Sequence, residues 1–132
     1  MAEHLRSAGI APEVVLCSSA RRTRQTLEGI EAGFPEPKPR VEIEDGLYNT
    51  TAGAMLDRVR EISGETSSVM LIAHNPGTHD LAVLLAGGGT DLERMASKFP
   101  TAALATLSFD GEWADLNPGV ARLESFVAPK DL

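Results

Sequence analysis

The fold is decided by residues 14–30, which read VVLCSSARRTRQTLEGI. The stretch begins with an apolar run, Val14–Cys17, and a short continuous apolar run is typical of a strand that is buried on both faces. Ser18 and Ser19 follow, and a helical pattern then runs from about Ala20 to Ala32. A buried strand that leads directly into a helix predicts an α/β fold.

Three arginines, Arg21, Arg22 and Arg24, occupy the first turns of this predicted helix. The amino end of a helix carries roughly half a positive elementary charge, so arginines there cost stability. The whole chain has only 12 Lys and Arg residues and a formal net charge of -7. The same helix end offers unpaired N–H donors, and guanidinium groups beside it match phosphate oxygens. The cluster therefore predicts an anion site that takes phosphate, sulfate or a phosphoryl group.

A purely structural interpretation of the cluster stays open. Arg21 and Arg24 share a helix face that could be solvated, or Arg24 could pair with Glu28 one turn along. Arg22 lies on a different face, and we expect it to point to the edge of the sheet. Ser18, or the serine that follows it, is most simply the N-cap of the helix.

A second buried strand, Val69–Ala73, ends at His74, and a turn and a helix that stops at Gly87–Gly89 follow it. Ligands of open α/β sheets bind at the carboxyl ends of strands, where loops lead into helices. If the two buried strands are parallel members of one sheet, Arg22 and His74 lie at the same edge. A protonated His74 can bind or protonate a phosphoryl oxygen, although it could instead satisfy backbone groups beside the turn.

The remaining elements continue the alternation of helices and strands. An opening helix ends at Gly9, and Arg40–Asp45 alternates apolar and charged residues, as an edge strand with one face in water does. The other segments are a helix over residues 51–62, a polar helix near 91–97, and strands within 101–110 and 121–128. The prediction is a three-layer α/β/α fold with a largely parallel central sheet, in a single domain over residues 1–132.

Composition excludes several classes of partner. The acidic balance, with a pI near 4.9, argues against a nucleic-acid surface or an anionic membrane surface. No apolar run reaches the roughly 20 residues of a membrane span, and no signal peptide opens the chain. The single cysteine, Cys17, cannot form an internal disulfide. We expect a cytoplasmic protein in which Cys17 is a buried and unreactive thiol.

No metal or cofactor is expected. His4 and His79 lie in predicted helices, and the three histidines with Cys17 lack the spacing of zinc sites. The glycines at 87–89 end a helix and lack the Gly-x-x-x-x-Gly-Lys pattern of a nucleotide-binding loop. The Gly-x-Ser-x-Gly pattern of a serine hydrolase is absent as well.

Two of these motifs resemble those of the histidine phosphatase superfamily. VVLCSSARRTRQTLE, residues 14–28, resembles its strand–Ser–x–x–x–Arg–x–x–Gln–Thr motif, and VMLIAHNPG, residues 69–77, resembles its later strand–His motif. The ending, with KFPTAALATLSF and FVAPKDL, looks like the small bacterial phosphohistidine phosphatases of the SixA type. The resemblance covers nearly the whole chain and implies a phosphoglycerate mutase-like fold.

The resemblance also implies roles for particular residues. In the family, two histidines and two arginines surround the phosphoryl group, and one histidine attacks phosphorus and is transiently phosphorylated. By motif, Arg22 matches the second arginine and His74 the second histidine. Arg22 and His74 are thus implied to be catalytic and to bind phosphate, and Ser18, Arg21 and Thr101 are further candidates to bind it.

The chain departs from the family pattern at its beginning. The family opens with a buried strand that ends in Arg-His-Gly and supplies the nucleophile, and residues 1–132 contain no Arg-His-Gly. Our hypothesis is that Met1 is an internal methionine of a longer protein, so that the fold lacks its N-terminal strand. We expect the chain alone to be inactive, and to self-associate through the sheet edge that this strand would otherwise cover.

Three functions stay open. The first is a phosphatase, or the shortened body of one, that hydrolyses phosphohistidine on proteins or small phosphoesters through a phosphohistidine intermediate. The second is a non-catalytic module that binds phosphate or phosphoproteins, and an in-frame Arg-His-Gly strand upstream of Met1 would decide against it. The third is an unrelated flavodoxin-like binding domain, whose stability would not respond to oxyanions. No general acid stands out among Glu42, Glu44 and Asp45, since acidic residues of edge strands are usually solvated.

Overall fold

The computed structural model describes all residues, Met1–Leu132, and the chain divides into two compact units. The first unit comprises residues 1–49 and 65–74, and the second comprises residues 50–64 and 75–132. The helices are α1 (Ala2–Ala8), α2 (Arg21–Ile30), α3 (Ala52–Arg60), α4 (Gly77–Leu85) and α5 (Leu92–Ser97). The strands are β1 (Val14–Ser18), β2 (Arg40–Glu44), β3 (Val69–Ile72), β4 (Ala86–Gly89), β5 (Leu104–Ser108) and β6 (Ala121–Val127).

The first unit contains a fully parallel three-stranded sheet in the order β2-β1-β3. Every residue of the central strand β1 is buried, as its apolar run predicts. Helix α1 ends at Gly9, whose φ of 70° is the left-handed conformation that glycine adopts without strain. Helix α2 buries Thr23, Leu27 and Ile30, the side chains that its helical spacing places on one face.

Strand β2 lies at the edge of this sheet, as predicted, but its exposure is reversed relative to the usual pattern. The apolar Val41 and Ile43 are 39% and 46% exposed, whereas Glu42 and Glu44 are half-buried. Both glutamates have interaction partners. Because β2 has a neighbour on one side only, its apolar side chains are covered less than those of the central strand.

The second unit contains a mixed sheet in the order β4-β6-β5, with β4 parallel and β5 antiparallel to β6. Its core includes Ala82, Met95, Leu123 and Phe126. Apolar residues at helical spacing in 51–62, namely Met55, Leu56, Val59 and Ile62, predict a buried stripe, and all four are buried, the first three on helix α3. The N-cap of α3 is Thr51, whose side chain accepts a hydrogen bond from the backbone N–H of Ala54.

The prediction that a helix stops at Gly87–Gly89 is confirmed, since α4 ends at Leu85, but the glycines also form strand β4 with Ala86, which the sequence did not predict. The physical reason is close backbone packing. A Cβ atom on Gly87 would lie 1.9 Å from the carbonyl oxygen of Gly119, and one on Gly89 would lie 2.2 Å from that of Leu123. Glycine is therefore required here so that β4 can approach β6.

The α/β class with a parallel sheet is confirmed, with one difference in detail. The six strands form two three-stranded sheets, and the expected single central sheet is not continuous. Strand β3 has a strand neighbour on one side only, so its apolar residues 69–71 are half-buried instead of fully covered. The assignment of residues 1–132 to one domain stays a prediction. None of the helices combines the length and the apolar character needed to cross a membrane.

Candidate active site

The candidate site is defined by the pairing of two strands in the first unit. Strands β1 and β3 are adjacent and parallel, with Cys17 opposite Ile72. The chain leaves β1 towards Arg22 and leaves β3 towards His74, so both segments depart from the carboxyl edge of the same sheet. The condition that the two buried strands are parallel members of one sheet is thus met, and this edge is where ligands of such sheets bind.

The turn between β1 and α2 is held by side-chain hydrogen bonds. The Ser18 hydroxyl is fully buried and accepts a hydrogen bond from the backbone N–H of Ala20 at 3.2 Å. The hydroxyl of Thr23 donates to the carbonyl oxygens of Ser18 and Ala20, both at 2.8 Å. These bonds fix the direction in which α2 leaves the sheet. Because the Ser18 hydroxyl is engaged inside the turn, its role as a phosphate ligand stays a prediction.

The predicted serine N-cap of α2 is wrong. The N-cap residue is Ala20, and no side chain caps the helix. Ser18 belongs to β1 and bonds the N–H of Ala20 itself, so it does not reach the first turn of the helix. The first backbone bond of α2 runs from the N–H of Arg24 to the carbonyl of Ala20 at 3.1 Å. The N–H groups of residues 21–23 precede that bond, and the first N–H groups of a helix have no carbonyl partner within the helix.

The three guanidinium groups at this helix end are exposed, and none forms an ion pair within the protein. The alternative pairing of Arg24 with Glu28 is therefore absent. Arg22 is the second residue of α2, and its carbonyl accepts a bond from Thr26 at 3.1 Å. An uncapped helix end with unpaired arginines concentrates positive potential at the carboxyl edge of β1.

His74 lies directly beyond β3 and is half-buried. Its Nε2 atom lies 3.1 Å from the Oδ1 atom of Asn49, in a hydrogen bond between residues 25 positions apart in sequence. Asn49 has a φ of 49°, in the left-handed region that asparagine tolerates better than most residues. Sequence reasoning missed Asn49, because no motif contains it and only the fold brings it to His74.

Cys17 is fully buried in β1, as predicted. Burial raises the pKa of the Cys17 thiol, and a hydrogen bond with Thr23 and the charge of Arg24 oppose that increase only in part. A thiol that stays protonated is a poor nucleophile. Cys17 therefore belongs to the core of the sheet and does not contribute a reactive group.

The acidic residues of β2 differ in their distance from the carboxyl edge. Glu44 stands opposite Ser18 at the end of the sheet, and Asp45 follows it. Glu42 stands opposite Leu16 in mid-sheet and forms an ion pair with Arg40 at 3.4 Å. Glu44 and Asp45 are thus closer to the carboxyl edge than Glu42 is.

Thr101, His79 and His4 belong to other segments of the chain. Thr101 belongs to the second unit, where it is exposed in a turn, and its role stays a prediction. His79 binds the carbonyl of Met95 at 2.8 Å through Nε2 and stacks on Phe99, so its role there is structural. His4 is half-buried on α1. No group of three or more His, Cys, Asp or Glu side chains is arranged to hold a metal ion.

Comparison with known sequences identifies close relatives, although no protein-family model matches the chain. An uncharacterised protein of Mycobacterium tuberculosis is 36% identical over 124 residues, which make up 91% of this chain and 75% of the relative. An uncharacterised protein of Mycobacterium leprae is 34% identical over 131 residues, 96% of this chain and 77% of the relative.

Comparison with solved structures identifies the family. The chain is 28% identical to a protein of Nakamurella multipartitia assigned as the phosphohistidine phosphatase SixA, with a TM-score of 0.76 over 97% of this chain and 81% of that one. A counterpart from Agrobacterium tumefaciens, likewise assigned as SixA, is also 28% identical, with a TM-score of 0.79 over 97% and 75% of the two chains.

A third structure, the protein histidine phosphatase SixA complexed with tungstate, shares the fold at 24% identity, with a TM-score of 0.76 over 98% of this chain and 77% of that one. The family resemblance carried by the two strand motifs is confirmed. The chain belongs to the histidine phosphatase superfamily, in its SixA branch.

Proposed function

We propose that the first unit binds the phosphoryl group of phosphohistidine on a protein, in the manner of a SixA-type phosphatase, with Arg22 and His74 as its ligands. The observation that carries this proposal is the adjacency of the parallel strands β1 and β3, whose carboxyl ends lead to these two residues. The exposed, unpaired arginine cluster at the uncapped end of α2 supports it, because such an end favours a dianion.

Each group has a distinct role in this chemistry. The Arg22 guanidinium offers a fork of donors that matches two phosphoryl oxygens, and it keeps its positive charge throughout the reaction. His74, when protonated, donates to a third oxygen. The N–H groups at the start of α2 add fixed partial charges, and Arg21 adds a further positive charge beside them. Fixed donors of this kind stabilise the charge of a transferring phosphoryl group.

We further propose that residues 1–132 bind the phosphoryl group but do not turn it over unaided. Hydrolysis through a phosphohistidine intermediate requires a nucleophilic histidine next to the bound phosphorus. The chain contains no Arg-His-Gly, and His4 and His79 lie within helices α1 and α4 and not at the end of a strand. Binding and turnover are therefore separable properties of this chain.

Oxyanion titration tests the binding half of the proposal. We expect tungstate and phosphate to bind the chain in calorimetry, and Arg22→Ala or His74→Ala to weaken binding by about tenfold or more, as the loss of a charged hydrogen bond does. Arg40→Ala is the matched control, since Arg40 stands opposite Val14 at the amino edge of the same sheet. Equal losses of affinity in all three variants would mean that only the net charge of the protein matters. Unchanged affinity in Arg22→Ala and His74→Ala would refute the site.

A second candidate function is a non-catalytic module that binds phosphoproteins through the same exposed arginine cluster at the start of α2. A phosphohistidine-containing peptide separates it from a phosphatase. We expect the chain to bind the peptide without releasing phosphate. Sustained release of phosphate by the pure chain, abolished by His74→Ala, would contradict our proposal that the nucleophile is missing.

The exposed position of the arginines suits a phosphorylated side chain on a protein surface, and a small phosphoester is the alternative substrate. We propose that this function operates in the cytoplasm, where free thiols such as that of Cys17 stay reduced. We also propose that the chain associates with a second copy of itself through β3, an edge strand with half-buried apolar side chains.

A further inference from the structure

The hydrogen bond between Asn49 and His74 constrains the chemistry of the histidine ring. An imidazole has two nitrogens, and in its neutral form one donates and the other accepts. The Oδ1 atom of an asparagine can only accept, and it lies 3.1 Å from the Nε2 atom of His74. That contact requires the proton of the neutral ring to be on Nε2, which leaves Nδ1 as the free nitrogen.

Asn49 is held in place by the segment that precedes it. The 3-10 turn Asp45–Leu47 places Leu47 in the core, where it is 1% exposed, and the backbone N–H of Tyr48 bonds the carbonyl of Asp45 at 3.0 Å. Asn49 then takes its left-handed conformation, with a φ of 49°. A non-glycine residue in this region costs backbone energy, so the surrounding chain fixes the direction of its side chain.

The bond itself contributes little to folding, because Asn49 is exposed and water competes for its amide. Its value lies in orientation. The ring of His74 can rotate about its side-chain bonds, and an acceptor fixed on Nε2 turns the opposite edge of the ring, with Nδ1, away from Asn49. Second partners of this kind set both the tautomer and the direction of functional histidines.

We infer that Asn49 is a positioning residue that holds His74 with its proton on Nε2 and presents Nδ1 to the phosphoryl oxygen. The inference rests on the proposed function of His74 and names the atom that acts. When the ring is protonated, Nδ1–H is the donor to the bound oxyanion, and Nε2–H stays on Asn49. When the ring is neutral, Nδ1 is an acceptor and repels the oxyanion.

The first experiment reads the tautomer without any ligand. In protein labelled with ¹⁵N-histidine at alkaline pH, the protonated and unprotonated ring nitrogens have well-separated chemical shifts. We expect His74 to carry its proton on Nε2 almost entirely. Asn49→Gly removes the amide and keeps the left-handed backbone without strain, and we expect it to give a mixture of the two tautomers. A ring protonated mainly on Nδ1 in the unmodified protein would overturn the inference.

The second experiment asks whether Asn49 acts through His74. We expect Asn49→Gly to weaken tungstate binding by about three- to tenfold, and Asn49→Asp, which keeps an acceptor oxygen, to retain the Nε2–H tautomer. In a His74→Ala background, Asn49→Gly should change the affinity no further. Asn117→Gly controls for loss of an exposed amide elsewhere, since Asn117 bonds Arg60 in the second unit.

The outcomes separate this inference from the proposed function. If Arg22→Ala and His74→Ala both leave tungstate binding unchanged, the proposed site fails, whatever tautomer His74 adopts. If those variants lose binding and Asn49→Gly loses it equally in the presence and absence of His74, Asn49 does not act through the ring and the inference fails alone.

Discussion

Arg22 stands at a helix end that repels it, and the molecule offers it no compensating partner. The side chain is exposed, the helix has no cap, and no carboxylate forms an ion pair with any of the three arginines. An unfavourable charge at the first turn of a helix costs about 0.3–1 kcal/mol at low ionic strength. Residues that bind ligands often reduce the stability of the empty protein in this way.

This conflict predicts opposite effects of one substitution on stability and on binding. Arg22→Gln should stabilise the empty protein by about 0.3–1 kcal/mol, because it removes a cation from the positive end of α2. It should also abolish the stabilisation that added phosphate gives. Urea unfolding with and without phosphate measures both effects. Arg40→Gln, outside any helix, should give no gain, and a marked loss of stability in Arg22→Gln would show a structural role for the arginine.

Burial of Cys17 predicts an alkaline loss of stability. In the unfolded chain a cysteine thiol ionises near pH 8.5, whereas burial raises the pKa of Cys17 in the folded protein. Above pH 8.5 the folded state therefore binds more protons than the unfolded state, and the free energy of unfolding falls as pH rises. Below that pH the contribution of the neutral thiol is fully present.

The measurement is urea unfolding between about pH 7 and 10, with Cys17→Ala as the comparison. The variant should be less stable at neutral pH, since it leaves a small cavity in β1, but its alkaline profile should be flatter. Parallel profiles for the two proteins would assign the alkaline loss to other groups.

At the residue scale, the sequence identifies candidate residues that come shortly after the end of a strand. Arg22 and His74 belong to segments that leave adjacent parallel strands, and a local pattern identifies each one. Asn49 could not be found in the same way. Its contact with His74 joins two segments 25 residues apart, and its left-handed conformation depends on the fold of the preceding turn.

At the scale of elements, β4 is a strand that can form only because three of its residues have no side chain. Its three glycines have no apolar alternation to predict a strand, and their density favours the end of a helix instead. The requirement is steric and comes from the backbones of Gly119 and Leu123. By contrast, β1 and α2 were predictable, because burial on both faces and a helical stripe leave periodic patterns in sequence.

Two of the three glycines of β4 give a matched test of that requirement. Gly87→Ala should destabilise the protein by about 2–4 kcal/mol, because its Cβ would collide with the carbonyl oxygen of Gly119. Gly88→Ala should change stability by less than about 0.5 kcal/mol, because a Cβ there meets no atom within 4 Å. Thermal or urea unfolding of the two variants measures the difference. Equal stabilities would mean that β4 can move away from its neighbour without cost.

Strand β2 shows a different limit of pattern reading. Its alternation predicts an edge strand, and the edge position is confirmed. The alternation alone does not say which face is covered, and Val41 and Ile43 are the more exposed set. Which face of a strand is buried depends on what packs against each face, and that is a property of the whole fold.

At the scale of the whole molecule, strand β3 is an unusual edge strand. A strand as apolar as β3 is typical of a sheet interior, yet β3 has a neighbour on one side only. Charged side chains are one protection of edge strands against pairing, and residues 69–72 carry no charge. Under our proposal of self-association, a second copy of the chain pairs with β3 on the side that has no strand neighbour.

Self-association through β3 is therefore expected, and it should depend on the charge of that strand. Sedimentation velocity should show species larger than 14.0 kDa that increase with concentration. Leu71→Lys should weaken association by roughly tenfold or more, because an ammonium group loses its hydration when it enters an apolar contact. Ile43→Lys, on the other edge strand β2, should leave association intact, and circular dichroism checks that both variants fold. A monodisperse and thermally stable monomer at high concentration would exclude the edge pairing. Loss of association in Ile43→Lys alone would show that the interface is formed by β2 instead of β3.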